Sequence, residues 1–231
     1  TEGDSAKSFA MAGLGIVGRD NYGVFPLKGK LLNIREASVQ QRMKNDEINH
    51  LKQIIGLKQE YTYESEEEFS TLRYGKIICL TDQDVDGSHI KGLLMNFFHF
   101  VWPSLMKRDG FITSLATPIV KAFKGKDTKI FYNLTEYEKW SESDESKSYK
   151  IKYYKGLGTS TSKEAKDYFC GINDKLISYF CSSAMEGLEK NTTDISMTLA
   201  FDKKKADERK TWLINYDRND ILKYEEKNIS Y

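Results

Sequence analysis

Lys76-Ile77-Ile78-Cys79-Leu80-Thr81-Asp82-Gln83-Asp84-Val85-Asp86-Gly87 is the stretch on which the fold turns. Its first five residues form a short apolar run with two β-branched side chains. Bounded by Gly75 and by Thr81-Asp82, that run reads as a buried strand of parallel type. The apolar segment from Ser88 to Met106 then reads as one long buried helix. Strand, acidic turn and helix in this order make half of a doubly wound α/β unit, whose ligands sit at the carboxyl ends of the strands.

The turn carries three carboxylates, Asp82, Asp84 and Asp86, spaced two residues apart. A pair of unit charges about 5 Å apart repels by roughly 1–3 kcal/mol at effective dielectrics between water and protein surface. Either solvent screens such a cluster or a hard divalent cation binds it. Oxygen donors without Cys or His point to Mg²⁺, with Mn²⁺ or Ca²⁺ as substitutes. The same residues with Gly87 fit the opening of an EF-hand loop. That reading fails at loop position 12, which needs a bidentate Glu and has Leu93, and it expects a preceding helix where this chain has a strand.

Working outward, Glu2-Gly3-Asp4-Ser5 forms a second acidic turn, with Asp4 or Ser5 capping a helix to about Gly13 and the strand that should lead into it missing. Residues 13–29 read as loop, Ser38 to Ile55 as helix, and Glu64 to Glu68 as a solvated acidic turn. Phe111–Leu115, Ile119–Phe123, Ile130–Tyr132 and Lys150–Tyr154 read as strands, Ser141–Ser148 as an exposed loop, and the remainder as mainly helical.

Charge and composition bound the function. Of 231 residues, 39% are hydrophobic and 30% charged, which suits a folded domain and argues against wholesale disorder. The net charge of +1 means that any polyanion site must arise from local clustering. No apolar run approaches the ~20 residues of a membrane helix, and no signal peptide precedes the fold. Cys79, Cys170 and Cys181 lack metal-ligand spacing and read as reduced thiols of an intracellular protein.

The pairing of Glu2-Gly3-Asp4 with Asp82-x-Asp84-x-Asp86-Gly87 resembles the TOPRIM fold of topoisomerases, bacterial primases and some nucleases. Pro26-Leu27-Lys28-Gly29-Lys30-Leu31-Leu32-Asn33, Tyr153-Tyr154-Lys155-Gly156-Leu157-Gly158-Thr159-Ser160 and Lys203-Lys204-Lys205-Ala206-Asp207 narrow the resemblance to eukaryotic-type type II DNA topoisomerases. Primases and simple nucleases of the fold lack the middle blocks.

The resemblance implies a Rossmann-like α/β TOPRIM domain over 1–118, its parallel sheet flanked by helices, and an α+β extension over 119–231. It implies Glu2, Asp82 and Asp84 as catalytic metal ligands, with Asp86 supporting the site. Lys28, Lys30, Asn33, Lys155, Lys203, Lys204 and Lys205 are the expected DNA contacts; the family usually carries Arg at the position of Lys28. The parent would be an ATP-dependent, homodimeric, nuclear enzyme acting on double-stranded DNA. Its ATPase domain and the winged-helix domain that bears the nucleophilic tyrosine would both lie outside this chain. A free-standing TOPRIM nuclease or primase and a non-catalytic DNA-binding module are the alternatives.

Overall fold

A computed structural model describes residues 1–154, 156–180, 192–216 and 228–230. In chain order the elements are α1 (Gly3–Val17), α2 (Val39–Lys44), α3 (Asp46–Ile55), α4 (Glu66–Ser70), β1 (Ile77–Cys79), α5 (Val85–Val101), α6 (Pro103–Lys107), β2 (Ile112–Leu115), β3 (Val120–Lys124) and β4 (Asp127–Phe131). They continue with α7 (Leu134–Ser141), β5 (Lys150–Tyr153), α8 (Ser162–Phe169), β6 (Leu176–Phe180), α9 (Thr192–Phe201), α10 (Ala206–Ile214) and β7 (Asn228–Ser230). Four strands form one sheet in the order β1-β2-β6-β7, with β6 and β7 parallel, and three form another in the order β4-β3-β5. The class is mixed α/β, as expected.

The chain divides into two compact units. The first comprises Thr1–Gly29, Leu80–His89 and Ser114–Leu176. Here β3 pairs antiparallel with β4 and β5, and Val120, Ala122, Phe131 and Tyr149 form a small core covered by Tyr137 and Trp140 of α7. α1 lies along α8, where Phe9 packs against Tyr168 and Phe169. That packing carries α1 to Val17, past the predicted end near Gly13, because Ala10, Gly13 and Leu14 continue the buried stripe. Glu2 is extended: it bridges Leu27 in parallel fashion and its N–H donates to the Leu80 carbonyl at 3.0 Å.

The second unit comprises Lys30–Cys79, Ile90–Thr113 and Ile177–Tyr231. Its core is aromatic: Phe97 and Phe98 stack edge-on, both meet Trp102, and Tyr63 and Phe111 complete the cluster. The Trp102 indole donates to the Tyr61 carbonyl at 3.1 Å. Two long helices expected from the sequence are interrupted. Asn45 ends α2 and caps α3, its side chain accepting from Ile48 N–H, so the segment from Ser38 to Ile55 is two helices. Pro103 starts α6 after a break at Trp102, since proline lacks the N–H an uninterrupted helix would need. The acidic turn at Glu64–Glu68 is partly the helix α4, and Glu68 accepts from Tyr63 N–H at 2.6 Å. The Ser141–Ser148 loop contains a short 3₁₀ turn, Asp144–Ser148. β6 and β7 lie where mainly helix was expected.

No helix of the described residues is long and apolar enough to cross a membrane.

Candidate functional site

The acidic site belongs to the first unit. After β1 the chain exits through Leu80 and Thr81, both buried, and delivers Asp82 beside the extended Glu2. The carboxylate of Glu2 accepts the Asp82 N–H at 3.0 Å, so the two motifs, 80 residues apart in sequence, are hydrogen-bonded to each other. Asp84 stands at the head of α5 and accepts the Gly87 N–H at 2.8 Å, the bond of a helix cap. Gly87 is required there: a Cβ would collide with the Asp82 carbonyl. The final glycine of Asp-x-Asp-x-Asp-Gly thus lets the first turn of the helix close against the strand exit.

Asp82 is held from a third direction. Leu157 N–H donates to its Oδ1 at 2.8 Å, and Gly156 faces the same carboxylate so closely that a Cβ would overlap it. The segment from Tyr154 to Thr161 is closed at its base by Glu164. Tyr154 donates its hydroxyl to Glu164, and Thr161 donates both its N–H, at 2.8 Å, and its hydroxyl, at 3.0 Å. Lys152 adds an ion pair at 3.2 Å. Burial alone would raise the Glu164 carboxyl, but these bonds outweigh it and hold the group down to about 2. The signal was present in the sequence as a capping box, Thr161-x-x-Glu164, although nothing local connects it to Asp82.

The electrostatics fit a cation. Burial pushes the Glu2 carboxyl above the usual carboxylate range, the Asp82 N–H opposes this, and the charges of Asp82, Asp84 and Asp86 push it further up. Four carboxylates therefore share one field, and all are hard oxygen donors suited to Mg²⁺. As they stand, three of them rest on backbone N–H groups. Among the described residues, no group of three or more His, Cys, Asp and Glu side chains is poised to hold an ion. The donor set suits the metal.

The expected DNA contacts are distributed over both units. Lys28 is exposed in the first; Lys30, Asn33 and Lys203–Lys205 fall in the second, and Lys155 lies outside the described residues. Lys30, Lys203 and Lys204 are exposed, whereas Lys205 pairs with Glu208 at 2.6 Å. Arg209 caps the end of α9 through the carbonyls of Leu199 and Ala200, fixing the turn that carries the lysines.

Asn33 does not stand as expected. Its amide donates to the Phe201 carbonyl at 2.8 Å and accepts from Asn96 at 3.0 Å, so the side chain is engaged within the unit, where a DNA contact was expected. The same cluster holds a chain the sequence did not reveal, in which Arg35 meets His99 Nδ1 at 2.8 Å and His99 Nε2 meets Asp194 at 2.7 Å. Because Arg35 can only donate, His99 carries its proton on Nε2.

Burial raises the phenols of Tyr63, Tyr154 and Tyr168, and hydrogen bonds with Tyr153 and Asp127 raise Tyr137 and Tyr149 to about 12.

Two family profiles match end to end: the Toprim domain over residues 1–116 and the C-terminal associated domain of TOPRIM over residues 115–231. The chain belongs to the Toprim family. Its Toprim domain supplies Glu2 and the three aspartates, and its C-terminal associated domain supplies Gly156, Leu157 and Glu164. The chain is 54% identical over 217 residues to DNA topoisomerase 2-beta and to DNA topoisomerase 2-alpha, both of Homo sapiens. Each match covers 94% of this chain but only 13% and 14% of those proteins. The Plasmodium falciparum topoisomerase II DNA-binding, cleavage and re-ligation domain superposes with a TM-score of 0.87 at 46% identity, covering 100% of this chain and 30% of that one. The Toprim sequence is thus that of the eukaryotic type II topoisomerases, and these relatives are neither primases nor simple nucleases.

Proposed function

We propose that this chain is the Mg²⁺-binding module of an ATP-dependent type II DNA topoisomerase, an enzyme that breaks and rejoins double-stranded DNA to change its topology. The observation that carries the reading is the coupling of Glu2 to the Asp82–Asp86 turn, joined by one hydrogen bond and by mutual charge repulsion. In this reading residues 1–118 are the metal-binding domain and 119–231 an extension leading toward a winged-helix domain.

When bound, a divalent cation neutralises the scissile phosphate and stabilises the leaving oxygen. The roles of the chain's own residues follow from their places. Glu2, Asp82 and Asp84 would hold the ion, Asp82 through lone pairs that Leu157 N–H leaves open, and Asp86 would sustain the local negative field. Lys28, Lys30, Lys155, Lys203 and Lys204 contact DNA phosphates as point charges, without reading sequence. The attacking tyrosine comes from the winged-helix domain of the parent and ATP binds its ATPase domain. The parent works as a homodimer in the nucleus.

Calorimetric titration with Mn²⁺, a tighter surrogate for Mg²⁺, tests the site. Wild type should bind, and the Asp82→Asn, Asp84→Asn double variant should not. Equal affinities would remove these residues from the metal site.

A further inference from the structure

We propose that the Gly156–Leu157 segment is the positioning device of Asp82, by which the C-terminal associated domain sets the orientation of a metal ligand in the Toprim domain. This deepens the metal reading above and rests on it. Both segments belong to the same compact unit.

Three observations converge. Leu157 N–H donates to Asp82 Oδ1 at 2.8 Å. The absent side chain of Gly156 is the space into which the carboxylate fits, since a Cβ there would overlap both Asp82 Cγ and Oδ2. The cavity against this pair, bordered by Gln83, Thr117, Tyr154 and Ser160, measures about 10 Å³, room for one water molecule. A backbone donor therefore aims the carboxylate.

A carboxylate has about four lone-pair sites. One on Leu157 N–H leaves the others for a cation, so the contact orients Asp82 without consuming it. Asp82 is further fixed through its own N–H, which Glu2 accepts. Tyr154 and Thr161, on either side of Leu157 in sequence, are in turn both held by Glu164, which gives Leu157 N–H a defined direction. Outer partners of metal ligands generally govern affinity in this way, and their loss weakens binding 10–100-fold.

The test is Mn²⁺ titration of Gly156→Ala beside wild type, with the thermal transition of each recorded. The expected result is at least about tenfold weaker binding at a nearly unchanged melting temperature. Wild-type affinity in a folded Gly156→Ala variant would overturn the proposal while leaving the metal reading intact. Failure of wild type to bind Mn²⁺ would overturn both. Should Gly156→Ala not fold, the Leu157 amide resonance of ¹⁵N-labelled wild type decides. It should shift on addition of Mg²⁺, and in Asp82→Ala it should lose its protection from hydrogen exchange. An amide indifferent to both overturns the proposal.

Discussion

Glu164 closes the loop that faces Asp82, and replacing it with Gln tests that arrangement quantitatively. The Gln side chain keeps the shape and one acceptor but removes the charge that Tyr154, Thr161 and Lys152 surround. The carboxyl sits at about 2 in the folded chain against 4.5 for the ordinary group, and its side chain is only 19% exposed. At 1.36 kcal/mol per tenfold change in proton affinity, the folded state gains at most about 3 kcal/mol from the ionised form. Because the folded value is depressed, that stability is fully present above about pH 4.5 and is lost as pH falls toward 2.

Urea unfolding of wild type and Glu164→Gln at a series of pH values gives the comparison. The wild type should be more stable by about 2–3 kcal/mol at pH 7, by less than half of that near pH 3, and by almost nothing at pH 2. A difference independent of pH would mean that Glu164 acts through shape alone. No difference at pH 7 would refute the account of the loop.

Two further substitutions separate structural residues from DNA contacts. Asn33→Ala removes a partner from the Asn96 amide and from the Phe201 carbonyl and should cost about 1–3 kcal/mol of stability, while leaving the DNA affinity of the folded variant unchanged; clearly weaker DNA binding by the folded variant would place Asn33 on the DNA surface. Replacing Lys203 and Lys204 together by Ala should reduce the slope of log affinity against log salt by about 2, because each phosphate contact contributes about 0.9. An unchanged slope in a filter-binding series would show that those lysines face only solvent.

The legible part of the site was the part written in side-chain chemistry. Asp82, Asp84 and Asp86 stand out because three carboxylates on one turn need solvent screening or a counter-charge. Glu2 became visible only through the resemblance, since a single Glu before Gly carries no signal. The Leu157 donor was invisible because a backbone N–H has no side-chain signature and its acceptor lies 75 residues away. The bonds of Asn33 to Asn96 and Phe201 were invisible for a related reason: a motif names a residue without its direction. The helix breaks at Asn45 and Trp102 were readable in principle, from an Asn capping signal and from Pro103. The Arg35–His99–Asp194 chain was not, because its members come from three separate segments.

The central claim is that this chain supplies the metal end of a reaction whose nucleophile is a tyrosine of another domain. Supercoiled plasmid incubated with the chain, Mn²⁺ and ATP tests it most directly, alone and with the downstream domain restored in one polypeptide. The account predicts neither nicking nor relaxation by the chain alone. With the downstream domain it predicts covalent 5′-phosphotyrosyl adducts that Glu2→Ala suppresses. Nicking by the chain alone that Asp84→Asn abolishes would contradict it, because the metal site would then be cleaving with water and needing no tyrosine.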